Sequence, residues 1–230
     1  IDSQGIHINR EKCVVCDACS DVCPTGAMEI AGKSMTIADI LKRISRDRHY
    51  YETSGGGITL SGGEPLAQPR SALALLSACK DLGFQTAVET CGYVNTKTFK
   101  AVLPKVDLFL FDLKEIDPLR HRSGTGVENN LILRNLYALK RLRAKILLRV
   151  PLIPFFNMHE SFYKGLGELV ERLKVPRVEL IPYHRLGLSK YEALGRESER
   201  YTDPPLSEEM CLEISRRLTE DIGVEVDICH

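Results

Sequence analysis

The sequence predicts an α/β protein, a partial (β/α) TIM-like barrel with a small cysteine-rich module at its N-terminal end. Three observations carry that expectation. Strand-like and helix-like segments alternate from Thr36 onward. Polar or charged residues fall at or near the C-terminal ends of five successive strand candidates. Four of the eight cysteines crowd into Cys13, Cys16, Cys19 and Cys23. The expected division is residues 1–35 for the module and 36–230 for the barrel.

Composition narrows the class. The 230 residues hold 31 Lys+Arg against 31 Asp+Glu, a formal net charge of zero that argues against a nucleic-acid partner. Apolar residues at 43% and charged residues at 27% are ordinary for a folded domain rather than a disordered chain. The longest apolar runs, Leu108 to Phe111 and Ile146 to Phe156, fall short of the ~20 residues that cross a bilayer, and Arg149 interrupts the second. A soluble protein with no membrane span is expected.

Each element has its own signal. Thr36 is placed to cap a helix through Ile37, Ile40, Leu41 and Ile44, apolar at helical spacing. A strand over Ile58 to Ser61 follows Ser54-Gly55-Gly56-Gly57. Further strands are expected over Phe84–Glu89, Val106–Asp112, Ile146–Leu152, Val178–Pro182 and Val224–Ile228. Helices are expected over Arg70–Leu82, Thr96–Leu103, Asn130–Leu142, Glu160–Leu173 and Ser207–Ile222. Such alternation implies parallel pairing, in an open doubly wound sheet or a barrel. Gly62-Gly63-Glu64-Pro65, Glu89-Thr90-Cys91-Gly92, Asp112-Leu113-Lys114, Arg149 and Pro182-Tyr183-His184 each lie at or near the C-terminal end of a strand. Polar ends on five strands fit a barrel, whereas a doubly wound sheet gathers its site at one switch point.

Cys13-x2-Cys16-x2-Cys19-x3-Cys23-Pro24 has the bacterial ferredoxin spacing for a 4Fe–4S cluster. No histidine follows at zinc-finger spacing. In a two-cluster module the fourth cysteine ligates the other cluster, yet no second run of four cysteines exists here. Ile6-His7-Ile8-Asn9 reads as the strand opening the second half of such a module, so its first half is expected upstream of Ile1. A distant cysteine as fourth ligand is the alternative.

The strand ends carry the remaining candidates. The glycines of Ser61-Gly62-Gly63-Glu64-Pro65 allow backbone groups to approach a ligand, and Glu64 suits an ammonium group, although a plain tight turn reads equally well. Alternation puts Leu110, Asp112 and Lys114 on one face, able to address one ligand or merely to form an ion pair. Glu89 and Thr90 offer hard oxygens for a cation or simply cap the next segment. Arg149 in an apolar strand calls for a carboxylate, from a ligand or from the protein. His184 alone is a weak signal, and His121 and His159 are read as structural. Cys91 lacks a histidine partner in the sequence and reads as packing, as do Cys79, Cys211 and Cys229.

With those motifs in order and at similar separations, the chain resembles the glycyl-radical enzyme activating enzymes, a branch of the radical S-adenosylmethionine superfamily. The resemblance covers residues 35–230, and the ferredoxin-type insert matches the larger members. It implies a partial barrel that binds S-adenosylmethionine at a site-differentiated 4Fe–4S cluster. Gly62, Gly63 and Glu64 would hold the methionine amino group. Lys114, Arg149 and His184 would address the carboxylate and adenosyl parts, with Asp112 and its neighbour Leu113 alongside. Glu89, Thr90 and Asp112 would match a monovalent-cation site. An electron, from a reduced flavodoxin or ferredoxin, would cleave S-adenosylmethionine to methionine and a 5′-deoxyadenosyl radical, which abstracts a hydrogen from a glycine of a partner glycyl radical enzyme. A monomer in an anaerobe's cytoplasm is the implied setting.

One departure stands out. The family holds its radical cluster with C-x3-C-x2-C, and residues 1–230 contain no such run. Residue 1 is Ile rather than Met. An N-terminal truncation that also removed the first barrel strand is therefore expected, leaving this chain inactive by itself and its radical-cluster ligands outside the sequence. The alternative is a degenerate S-adenosylmethionine-binding or iron–sulfur electron-transfer protein without radical chemistry.

Overall fold

Parallel pairing runs through six strands in chain order. The computed structural model describes residues 6, 8–185, 187–193 and 204–229. Strands β1 (Gly57–Leu60), β2 (Gln85–Thr90), β3 (Leu108–Asp112), β4 (Ile146–Leu152), β5 (Arg177–Pro182) and β6 (Glu225–Ile228) form one sheet in that order. Every neighbouring pair is parallel. An order that never reverses excludes the doubly wound alternative. β6 does not pair with β1, so among the described residues the sheet is an open, partial barrel.

The pleat explains why one face packs and the other stays polar. Val88, Phe109, Phe111, Leu148, Val150, Val178 and Leu180 are buried against the helices. Glu89, Leu110, Asp112, Arg149 and Glu179, one position out of phase, are only half-buried on the opposite face. The helices are α1 (Ala18–Asp21), α2 (Ile37–Ile44), α3 (Arg48–Ser54), α4 (Pro69–Asp81), α5 (Thr96–Val102), α6 (Pro118–Thr125), α7 (Asn130–Arg141), α8 (Glu160–Leu173), α9 (Leu188–Ala193) and α10 (Glu208–Ile222). None is long and apolar enough to cross a membrane.

Local chemistry sets the boundaries. The Thr36 hydroxyl accepts from the Asp39 N–H at 3.1 Å, starting α2 where the sequence predicts. Ser207 does the same for α10 through Met210 N–H at 3.2 Å, and Gly223, at φ 73°, ends it. Leu136 and Leu139 of α7 and Leu166, Val170 and Leu173 of α8 meet the buried strand side chains in one core. At the opposite end of the sheet, Asp107 accepts from Lys80 Nζ at 2.8 Å and from Thr86 N–H at 2.7 Å, tying α4 to β2 and β3.

Four helices lie where the sequence reading had none: α1, α3, α6 and α9. α6 has no apolar stripe, and its signal is the capping residue Asp117 followed by Pro118, whose carboxylate accepts from Leu119 and Arg120 N–H groups at 2.9 Å. α3 is held by Arg48, which stacks 4.3 Å above the Phe84 ring centroid and donates to the Leu82 carbonyl at 2.9 Å. The expected strand at Ile6 to Asn9 is not formed at Ile6, Ile8 or Asn9. A strand needs a pairing partner, and the described residues offer none there.

Candidate functional site

The turn after β1 separates two jobs that the sequence left together. Gly62 sits at φ 127°, a conformation that suits glycine, and a Cβ on Gly62 or Gly63 would meet nothing within 4 Å. The backbone there is open. The Glu64 side chain is instead occupied by protein donors: Leu66 N–H at 3.0 Å, Thr90 Oγ1 at 2.9 Å and Cys91 N–H at 3.0 Å. It braces the first loop against the second. Thr90 in turn accepts from Gly92 N–H at 3.0 Å. Burial pushes the Cys91 thiol up, the neighbouring Glu64 carboxylate adds to that, and Cys91 stays a packed side chain.

Arg149 is the hub of the polar face. Register sets it beside Asp112 of β3 and Glu179 of β5. Its Nη1 lies 3.2 Å from Glu89 Oε1 and its Nε 2.9 Å from Glu179 Oε2. The Nε contact is short but poorly aligned for a hydrogen bond, so it acts as a charge contact. Burial pulls the guanidinium pKa down, but Glu89, Glu179 and Asp112 outweigh it and raise the value. The carboxylate that Arg149 called for is thus supplied twice by the protein. Ser61 Oγ donates to Glu89 Oε2 at 2.8 Å and carries the network into the glycine turn.

Asp112 and Lys114 pair at 3.0 Å on the same face, as alternation predicts. Only one Asp112 oxygen is used, and Oδ1 is buried without a hydrogen-bond partner. Leu113 between them is 1% exposed, its side chain in the core, which leaves its backbone alone at the site. The Leu113 N–H donates to the Arg149 carbonyl at 2.8 Å. His184 stands past the end of β5 with its side chain exposed.

The cation candidates Glu89, Thr90 and Asp112 lie at adjacent strand ends, but Thr90 is turned to Glu64 and Glu89 to Ser61 and Arg149. Among the described residues, no group of three His, Cys, Asp or Glu side chains is gathered to hold a metal ion. Cys13, Cys16 and Cys19 are exposed free thiols and Cys23 is half-buried. Their loop is sharply turned: Val15 and Asp17, in the gaps between the first three cysteines, have φ of 51° and 63°. A β-branched residue is rarely left-handed. The Thr25 hydroxyl lowers the Cys23 thiol to about 7, toward the thiolate that iron requires. The four thiols are of the type that iron–sulfur clusters take, none of them in a disulfide, but among the described residues no three of them are gathered into a site.

Several contributors have a weak sequence signal. Glu179 shows only as a carboxylate between Val178 and Leu180, in phase with Arg149. His159, read as structural, caps α8 by accepting Phe162 N–H at its Nδ1 at 3.1 Å, so its proton sits on Nε2, 3.0 Å from the fully buried Glu115. The other Glu115 oxygen accepts from Ile116 and Asp117 N–H groups at 2.6 and 3.0 Å, fixing the loop after Lys114.

Comparison with known proteins agrees with this geometry. The family model described as the radical SAM superfamily matches residues 10–163. The choline trimethylamine-lyase activating enzyme of Oleidesulfovibrio alaskensis is 47% identical over 145 residues, 63% of this chain and 47% of that protein. The trans-4-hydroxy-L-proline dehydratase activating enzyme of Clostridioides difficile is 38% identical over 202 residues, 75% of this chain and 67% of that protein. A crystallised domain of a pyruvate-formate lyase-activating enzyme from Bacteroides vulgatus superposes with a TM-score of 0.62 at 28% identity, covering 76% of this chain and 99% of that one. The chain spans about half the length of several curated relatives. Parallel open barrel, polar strand ends and family match together place the chain in the radical SAM superfamily.

Proposed function

We propose that this chain is the S-adenosylmethionine-binding barrel of a glycyl-radical enzyme activating enzyme. The observation that carries the reading is the charge of the polar face. Glu64, Glu89, Asp112 and Glu179 oppose Lys114 and Arg149, a surplus of two negative charges in a half-buried site. Such a face favours a cationic ligand, and S-adenosylmethionine carries a sulfonium beside its zwitterionic methionine end. The open backbone at Gly62 and Gly63 can receive the ammonium group, and Lys114 has donors left for the carboxylate. The buried Asp112 Oδ1 awaits a donor, a role suited to a ligand hydroxyl or amine.

Arg149 does not reach the ligand directly on this reading. It holds Glu89 and Glu179 in place and sets the field above them. Glu64 keeps the first two loops in register through Thr90 and Cys91. Cys13, Cys16 and Cys19 would hold one 4Fe–4S cluster, and Cys23 would serve the other cluster of a ferredoxin-type pair. When bound to a reduced iron–sulfur cluster, S-adenosylmethionine supplies the radical that takes a hydrogen atom from a glycine of the partner enzyme. The cluster that meets it is not furnished by residues 1–230, which lack C-x3-C-x2-C. A reduced flavodoxin or ferredoxin supplies the electron, the protein acts as a monomer, and an anaerobic cytoplasm is its setting.

The test is reductive cleavage. The full-length protein, reconstituted anaerobically with iron and sulfide and then reduced, should release 5′-deoxyadenosine from S-adenosylmethionine, while residues 1–230 alone should not. Asp112→Asn and Lys114→Ala should weaken S-adenosylmethionine binding by roughly tenfold each, the loss of one charge-assisted contact. Full-length protein that binds S-adenosylmethionine without cleaving it would overturn the assignment.

A further inference from the structure

Three large apolar side chains stand in solvent on the segments that follow β2, β3 and β4, adjacent strands of the sheet. Tyr93, Leu119 and Phe155 are 46%, 70% and 93% exposed. Isolated exposed hydrophobics are ordinary. These three share the end of the sheet that carries the polar site, and two further features set them apart.

The first is rigidity. Each segment is pinned from below by a buried asparagine. Asn135 donates to the carbonyls of Gly92 and Val94, on either side of Tyr93, at 2.8 and 2.7 Å. Asn129 donates to the carbonyls of Glu115 and Ile116, just ahead of Leu119, at 2.8 and 2.7 Å. Asn157 donates to the carbonyls of Lys114 and Pro151 at 2.8 and 2.6 Å and accepts from Ile153 N–H at 2.8 Å, bracketing Phe155. None of the three asparagines is more than 1% exposed. Buried amides bonded in this way fix a loop in one conformation.

The second is strain. Phe155 has φ 59°, a left-handed conformation that a bulky residue rarely adopts. Its neighbour Phe156 packs onto α6, so closely that a Cβ on Gly124 would lie 2.3 Å from the ring. The kinked backbone keeps Phe156 inward and sends Phe155 out. Strained, rigid and fully exposed is a poor combination for stability and a good one for binding.

We infer that Tyr93, Leu119 and Phe155 form a pre-ordered apolar rim that seats the glycine-bearing protein beside the polar face, an inference that rests on the activating-enzyme reading. A free small molecule would be bound by the polar strand ends alone. A backbone glycine α-carbon can reach those ends only if the protein carrying it docks on the surrounding loops. Aromatic and aliphatic anchors held rigid before contact give up little freedom on docking, which is the composition and preparation expected of interface hot spots.

The test separates docking from chemistry. Phe155→Asn relieves the left-handed strain, since asparagine tolerates that conformation, so the variant should melt no lower than wild type. Leu119→Ser is the second rim variant, and Leu142→Ser, at the other end of the sheet and 44% exposed, is the control. Full-length proteins are assayed with choline trimethylamine-lyase, isethionate sulfite-lyase, trans-4-hydroxy-L-proline dehydratase and indoleacetate decarboxylase, the enzymes after which four activating-enzyme relatives of this chain are named, using the pair that wild type activates. Phe155→Asn should weaken binding to the lyase or dehydratase tenfold or more and lower the glycyl-radical signal in paramagnetic resonance. Partner-free 5′-deoxyadenosine formation should stay at the wild-type rate, and the control should behave as wild type. Unchanged affinity in both rim variants overturns the rim and leaves the proposed function standing. Wild type that cleaves S-adenosylmethionine but transfers no radical to any of the four overturns the reading and the rim with it.

Discussion

Replacing Arg149 by Met tests whether the polar face is held by one guanidinium. The side chain is 13% exposed and lies within 3.2 Å of Glu89 Oε1 and 2.9 Å of Glu179 Oε2. Methionine of similar length fills the space but leaves two carboxylates facing each other without a counter-charge. Removing one member of a buried ionic cluster costs about 3–5 kcal/mol, and the partial exposure of Glu89, at 33%, favours the lower figure. A loss of about 3 kcal/mol in a chain of this size lowers the melting temperature by roughly 6–12 °C. Urea titration followed by circular dichroism measures the loss. The stranded carboxylates repel each other, so adding Glu179→Gln should restore part of the loss. A deficit under about 0.5 kcal/mol would refute the hub, because it would place Arg149 among exposed, screened ion pairs.

Other expectations follow from the same geometry. Asp107 gains bonds from Lys80 and Thr86 that, against a burial cost, hold its carboxyl below the usual range. Its contribution is therefore present above the ordinary carboxylate value and is lost as pH falls through the lowered one. Asp107→Asn should cost about 1 kcal/mol at pH 7, screened because the side chain is 38% exposed, and progressively less as pH falls below the ordinary carboxylate value, read from unfolding curves across that range. Gly92→Ala places a Cβ 2.3 Å from the Phe111 ring at φ 76°, and should lower stability by about 2–4 kcal/mol while loosening the Thr90–Glu64 brace, seen as a lower melting temperature and weaker S-adenosylmethionine binding. Cys13→Ser or Cys16→Ser should sharply reduce the iron and sulfide retained by residues 1–230 after anaerobic reconstitution; undiminished iron would remove the ferredoxin-type assignment.

The regular elements were readable because period and burial agree. β4 and α8 begin and end where their apolar spacing places them, and the remaining five strands shift by no more than two residues at either end. The polar strand ends were readable as a set, since charge in an apolar strand is expensive without a purpose. Their partners were less legible. Nothing local distinguishes Glu179 as the second anchor of Arg149, because that pairing depends on the register between β4 and β5. The buried asparagines Asn129, Asn135 and Asn157 look like ordinary loop or helix polar residues until the chain brings distant carbonyls to them. α6 escaped because its helix is specified by a cap and a proline rather than by an apolar face. Leu113 shows the converse limit, as a motif's central residue whose side chain belongs to the core.

On the proposed function, the negative face at the strand ends binds S-adenosylmethionine for radical transfer to a protein glycine. The decisive experiment is paramagnetic resonance of the anaerobic, reduced full-length protein with S-adenosylmethionine and each of the four candidate partner enzymes. A glycyl-radical signal on one of them, formed with one 5′-deoxyadenosine per radical and lost in Asp112→Asn, is the predicted result. S-adenosylmethionine consumption with no protein radical on any of them, or a signal indifferent to Asp112, would contradict it.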